Sequence, residues 1–202
     1  MRLTKCDGRK AAGASFVLLL TLAAGASAQT LRKGTDLTRA EREAWYKILR
    51  WPAEYENAWR REHENSGYGG LSFYDLGRGK YLVEVDAYPV AYQTGFIYML
   101  YDAAKEPNGP GRLLLLKGFQ AEDERGRPLP YSKVSGFTSF DAKKKVLEVI
   151  SKYRAAGDCG LYVRYKFVGP RPFVVEARER KCDAGRGHIA DLDPSRWPRK
   201  KL

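Results

Sequence analysis

Two periodicities divide the chain. Between residues 37 and 64 apolar side chains recur at helical spacing, with Leu37, Ala40, Ala44, Trp45, Ile48 and Leu49 on one face. Thr38-Arg39-Ala40-Glu41 opens this stretch in capping-box form, the hydroxyl and the carboxylate each satisfying an exposed backbone N–H. Trp51 stands before Pro52, whose ring disfavours helix in the residue ahead of it, and Pro52 suits the first turn of a new helix. Tyr55, Ala58 and Trp59 line that second helix, which should end at Asn65-Ser66-Gly67.

From Leu71 the period falls to two. Leu71–Tyr74 and Tyr81–Val85 read as strands around the turn Gly77-Arg78-Gly79. Further strands are expected near 94–102, 112–121, 133–140, 145–153, 160–168 and 172–181. Pro107–Gly111, Gly126-Arg127-Pro128 and Gly169–Pro172 break the chain between them. Short connections favour antiparallel neighbours. Phe96–Tyr101 and Leu113–Leu116 are apolar at every position, so both should be covered on two faces. The last hairpin alternates, with Leu161, Val163, Tyr165 and Phe167 against Tyr162, Arg164 and Lys166. This pattern gives an α+β fold: helices over about 38–64, packed on a mostly antiparallel sheet or partly closed barrel. Its roughly eight strands should lie between about 71 and 181.

Tyr74-Asp75, Lys80, Leu82, Glu84-Val85, Tyr88, Tyr98 and Tyr101 also run parallel to a second series. That series is Phe140-Asp141, Lys145, Val146, Glu148-Val149, Tyr153, Tyr162 and Tyr165. An internal duplication would give two similar four-stranded units; chance likeness of Tyr/Val-rich hairpins is the alternative.

The first 28 residues change the picture of where the protein works. Arg2, Lys5, Arg9 and Lys10 face one acid, Asp7; residues 11–26 carry no charge; Ala26-Ser27-Ala28 closes the segment. A basic start, a short apolar run and an A-x-A end make a cleaved secretion signal. The run is short against the ~20 residues of a spanning helix. Residues 29–182 are then a single domain and 183–202 a basic tail, the product being expected in the periplasm or secreted. Cleavage lowers the net charge from +12 to +9, and 44% hydrophobic content argues against disorder.

Cys6 leaves with the signal, and the remaining pair, Cys159 and Cys182, reads as one disulfide in an oxidising compartment. Placing Phe167 opposite Phe173 keeps Leu161, Val163, Tyr165, Val175 and Ala177 on one face. The cysteines then meet one step out of register at the open end of the hairpin. Metal ligation lacks partners, since neither His63 nor His188 has ligand spacing around it. No cofactor is implied.

Ser135–Cys182 resembles the C-terminal part of an exported bacterial family known as domain of unknown function 1176. The resembling elements are Gly136 with Phe140-Asp141, Leu147 through Lys152-Tyr153-Arg154, Gly157-Asp158-Cys159-Gly160, Glu176-Ala177-Arg178, Lys181-Cys182-Asp183 and Trp197-Pro198. Trp51, Glu56, Ala58 and Tyr81–Val85 resemble its upstream half. The resemblance implies export and the disulfide, and carries no catalytic residues.

Enzymatic signatures are sparse. There is no G-x-S-x-G, no P-loop, no G-x-G-x-x-G and no H-E-x-x-H, and two histidines give little material for a nucleophilic triad. Carboxylate pairs remain: Glu84 and Asp86 share a strand face, and Glu122, Asp123 and Glu124 cluster near a turn. The basic residues point elsewhere. Arg178, Arg180 and Lys181 end the last strand, and Arg199, Lys200 and Lys201 fold back beside them if Trp197 pins the tail. That surface suits an anionic polymer, a lipid headgroup or an acidic protein; export argues against nucleic acid. The leading expectation is a non-enzymatic binding protein. A hydrolase using carboxylates and an inhibitor of an acidic extracellular enzyme are the alternatives.

Overall fold

Thr38 caps the first helix as its sequence dictates: the Glu41 amide donates to Thr38 Oγ1, and the Thr38 amide donates to Glu41 Oε2 at 2.7 Å. In the computed structural model, which describes residues 31–104, 110–182 and 193–202, helix α1 spans Arg39–Leu49 and α2 spans Ala53–Glu62. The expected signal at 1–28 and tail residues 183–192 lie outside the described residues. Pro52 is the N-cap of α2, and the helix ends at Glu62, before the anticipated stop. Ala40 faces solvent, and Arg42 takes a buried place instead.

Among the described residues ten strands follow: β1 Leu71–Gly77, β2 Lys80–Val90, β3 Gln93–Asp102, β4 Arg112–Leu113, β5 Gln120–Glu122, β6 Pro128–Ser132, β7 Val134–Asp141, β8 Val146–Lys152, β9 Gly160–Val168 and β10 Arg171–Arg180. The main sheet is open and antiparallel, in the order β1-β2-β3-β7-β8-β9-β10, with β4 also on β3. The expected strand at 112–121 does not form as one piece. Leu114 and Leu116 point inward and Leu115 outward, and the segment bonds alternately to Tyr98 and Ser132 before turning at Lys117-Gly118. Of the apolar run Leu113–Leu116, then, only Leu114 and Leu116 are fully covered, whereas of Phe96–Tyr101 all but the half-buried Phe96 are buried as expected.

Two cores explain that double burial. Trp45, Leu49 and Tyr55 from the helices and Trp51 from the link between them pack on Phe73, Val83, Val85, Ile97 and Met99 on one face of β1–β3. The other face, with Leu82, Tyr98 and Leu100, packs against Leu147, Val149, Leu161, Val163 and Tyr165 from the later strands. The sheet therefore folds over on itself. The bend lies where β3 and β7 pair through only Thr94–Phe96 and Val134–Gly136. Gly136 is needed there, because a Cβ would strike the Ile150 carbonyl oxygen.

Both halves run as meanders in chain order, which a duplication requires. The matched side chains do not keep their partners, however. Glu84 faces Tyr98 and is buried, while Glu148 faces Arg164 and is half-exposed.

Candidate functional site

The C-terminal edge of the sheet is built by a bulge and a returning tail. Near the β9–β10 turn Phe167 faces Pro172, not Phe173, and Val174 faces Tyr165. Val175 is then the extra residue of a β-bulge and stands exposed, contrary to its expected inward place. Beyond the bulge the anticipated register holds, with Ala177 opposite Val163 and Arg180 opposite Gly160. Cys159 and Cys182 thus lie past the strand ends and one step out of line. They form the disulfide across a Cα separation of 5.1 Å. Closing this loop stabilises the fold by about 3 kcal/mol in the chain-entropy description.

Trp197 is buried, and its ring lies over Gly160, where a Cβ would come within 3.1 Å of it. The chain then returns antiparallel to β10: the Glu179 amide donates to the Pro198 carbonyl at 2.9 Å and the Lys200 amide to the Ala177 carbonyl at 2.8 Å. Arg178 donates to the Trp197 carbonyl at 3.0 Å. Arg154 clamps the Asp158 carboxylate beside the disulfide. Elements that are scattered in sequence, Arg154, Gly157–Gly160, Arg178 and Trp197-Pro198, therefore form one structural corner.

All six expected basic residues gather here, but their states differ. Arg178 pairs with Glu176 at 2.7 Å and Lys200 with Glu179 at 2.8 Å. Arg178 and then Arg164 hold the Glu176 carboxyl below its usual range, and Lys200 and Tyr153 do the same for Glu179. Both acids are therefore ionised at neutral pH and neutralise part of the surface. Arg180 is half-buried, whereas Lys181, Arg199 and Lys201 are exposed. Two depressions flank the returning strand, one of about 540 Å³ reaching Arg180 and Lys181, the other of about 440 Å³ reaching Lys201.

The carboxylate pairs have unlike surroundings. Glu84 is buried and receives hydroxyls from three strands: Tyr74 at 3.1 Å, Thr138 at 2.8 Å, and Tyr98. Burial nevertheless pushes its pKa up. With its oxygens engaged, Glu84 ties β1, β3 and β7 to β2. Asp86, on the same face, has a side chain 14% exposed, with His63 Nε2 4.0 Å away. Near the β5–β6 ribbon, Asp123 takes the amides of Arg125 and Arg127 at 2.9 Å, which is turn-making work. A cleft of about 570 Å³ there mixes Glu54, Glu122 and Glu124 with Arg125, Arg127 and Lys133. His63 stacks on Trp59, and no group of three metal-ligating side chains occurs among the described residues.

Asp86 supports a pH prediction. Burial lifts its carboxyl to about 6; His63 and Arg42 oppose the shift and Glu84 adds to it. An unfolded aspartate ionises near 3.9. Between about pH 4 and pH 6 the unfolded chain gives up this proton first, so the stability Asp86 contributes in acid is lost as pH rises through that window. Asp86→Asn should match the wild type at pH 4 and exceed it by on the order of 2 kcal/mol at pH 7. Urea midpoints at the two pH values measure this. Other acids with lowered pKa trend oppositely, so the difference between variant and wild type is what counts.

The Tyr162–Phe167 stretch behaves as an alternating strand. Tyr165 and Phe167 are buried, and Arg164 is held by Glu148 at 3.0 Å and Glu176 at 3.2 Å. No helix among the described residues is long and apolar enough to cross a membrane. No family model matches the chain, and neither does any curated protein or solved structure.

Proposed function

We propose that the protein is an exported, non-enzymatic binding protein that recognises an anionic component of the envelope or extracellular space along its C-terminal edge. The return of residues 198–200 beside β10 carries this reading, because it sets Arg199 beside Arg178, next to the strand end that holds Arg180 and Lys181, and continues the basic line with Lys201 along the strand. The disulfide suits an oxidising compartment, as the signal-like start and the family resemblance do.

Glu176 and Glu179 reduce the charge of this edge, so its attraction works through the exposed Lys181, Arg199 and Lys201. Exposed charges act over about 8 Å at physiological salt. Binding should therefore be salt-sensitive. The chain from residue 29 onward should be retained on immobilised dextran sulfate at 20 mM salt, and a Lys181→Glu, Arg199→Glu, Lys201→Glu variant should pass through. Salt at about 0.15 M or above should release much of the wild type. Equal retention of the two proteins at low salt, or no retention of either, would overturn the proposal. Arg178 is left intact because it holds the tail.

A further inference from the structure

A separate concavity of about 720 Å³ lies at the other end of β10, between the 112–117 segment, the β9–β10 turn and Leu202. Its size falls within the roughly 300–1,000 Å³ of small-molecule sites. Its lining joins two chemistries. Leu115, Phe173 and Leu202 contribute apolar surface that is 44%, 51% and 39% exposed. Arg112, Lys117 and Arg171 contribute the charge, and no acidic side chain lines the space. Among the described residues none of these three cations has a carboxylate partner, unlike Arg164, Arg178 and Lys200 nearby.

This combination is not what packing alone produces. Phe173 is held outward by the register ahead of the bulge, where Lys166 takes the place opposite it. Leu115 is outward because Leu114 and Leu116 on either side of it turn in. Each of these apolar side chains leaves roughly half of its area in water, and here they line one hollow with three unpaired cations. An apolar chain laid on Leu115, Phe173 and Leu202 covers that area, while an anionic head at its end accepts hydrogen bonds from Arg112, Lys117 or Arg171.

We infer that this concavity binds a single-chain anionic amphiphile, a long-chain carboxylate, with the chain on Leu115 and Phe173 and the carboxylate among Arg112, Lys117 and Arg171. The inference does not depend on the Lys181 end of the tail surface, which lies at the opposite end of β10; the returning tail itself supplies Leu202 to the concavity.

Calorimetric titration with monomeric dodecanoate tests it. Saturable binding is expected, about tenfold weaker for dodecanol, which lacks the charge that strengthens hydrogen bonds to the cations, and lost for dodecyltrimethylammonium. A Leu115→Ser, Phe173→Ser variant should bind dodecanoate at least about tenfold more weakly, because it removes much of the buried area. Both side chains are half-exposed, so its melting temperature should fall only slightly and a single cooperative transition should show that the fold is intact. A Lys181→Glu, Arg199→Glu tail variant, which leaves Lys201 beside the Leu202 wall unchanged, should bind dodecanoate as the wild type does. Equal affinity for dodecanoate and dodecanol, unchanged binding by the serine variant, or loss of binding in the tail variant would each overturn the inference. None of these results bears on retention by dextran sulfate, so the two proposals fail separately.

Discussion

Arg42→Met is expected to destabilise the domain by about 3–5 kcal/mol, a fall in melting temperature on the order of 10 °C. Arg42 is wholly buried, and its guanidinium organises the junction of both helices with the sheet. Nε donates to Glu56 at 2.8 Å, one terminal nitrogen to the carbonyls of Gly69 and Gly70 at 2.9 and 3.0 Å, and the other to the Asp86 carbonyl at 3.0 Å. The group also lies 4.0 Å from the centre of the Trp59 ring. Methionine fills the space but leaves Glu56 with only Trp51 and Arg60 as side-chain donors, and takes a donor from three backbone carbonyls, of which Gly70 keeps the Asp86 amide. Buried acceptors without donors cost about 1–3 kcal/mol each, more when charged. Adding Glu56→Gln removes the uncompensated charge, so the double variant should be more stable than Arg42→Met alone. A loss below about 1 kcal/mol for Arg42→Met in urea unfolding would show that the junction is held by packing instead.

Arg42 also shows where reading from sequence runs out. Counting apolar residues at helical spacing found the Trp45 and Leu49 face and, by the same rule, placed Ala40 on it. Yet Arg42 stands three residues before Trp45 and seven before Leu49, in the middle of the stripe, and Glu56 stands three before Trp59. A charged residue on the buried face of one helix, answered by the opposite charge on the next, was the available signal. A rule that scores only apolar positions passes over it. The capping box, the alternation of β9 and the double burial of β3 were legible because each depends on neighbours in sequence. The split of 112–121 was not. Leucine runs carry no β-branched preference, and the segment's bonds go to Tyr98 on one side and Ser132 on the other, partners that only the fold supplies. Pro128 and Pro130 likewise hid the β5–β6 ribbon, which pairs at just two positions around its irregularity.

The C-terminal edge was legible in its residues and only half legible in its geometry. The expected register located the cysteines one step apart, and it holds from Glu176 to Arg180. Toward the turn it fails by one residue, because the bulge at Val175 lies within an unbroken apolar stretch, Phe173-Val174-Val175, that favours either face equally. That failure has a consequence for chemistry. With Val175 and Phe173 outward, the edge presents apolar surface between cations, which a uniform alternation would have hidden. The acids were legible only as spacings. Glu84 and Asp86 do share a face, but the three hydroxyls that engage Glu84 come from Tyr74, Tyr98 and Thr138 on separate strands.

Trp197→Ala should release the returning tail while the disulfide-closed sheet stays folded. Without the indole, residues 198–202 are held by two backbone hydrogen bonds, the Arg178 contact and the Lys200–Glu179 pair. Hydrogen bonds of this kind contribute about 1 kcal/mol each, and a surface ion pair at most about 1 kcal/mol. Ordering five residues costs about 1–2 kcal/mol apiece in backbone entropy alone. Burial of the tryptophan decides the balance, since truncating such a ring removes about 3–5 kcal/mol. The Cys159–Cys182 bond still closes β9 on β10. Hydrogen exchange should therefore show the Glu179 and Lys200 amides losing protection, with the β8 and β9 amides keeping theirs. Retention on dextran sulfate should drop in the same variant, because Arg199 and Lys201 leave the strand that aligned them. Persistent protection at Glu179 and Lys200 would mean that the tail docks without Trp197. Lost protection with undiminished retention would mean that alignment along β10 is irrelevant to binding.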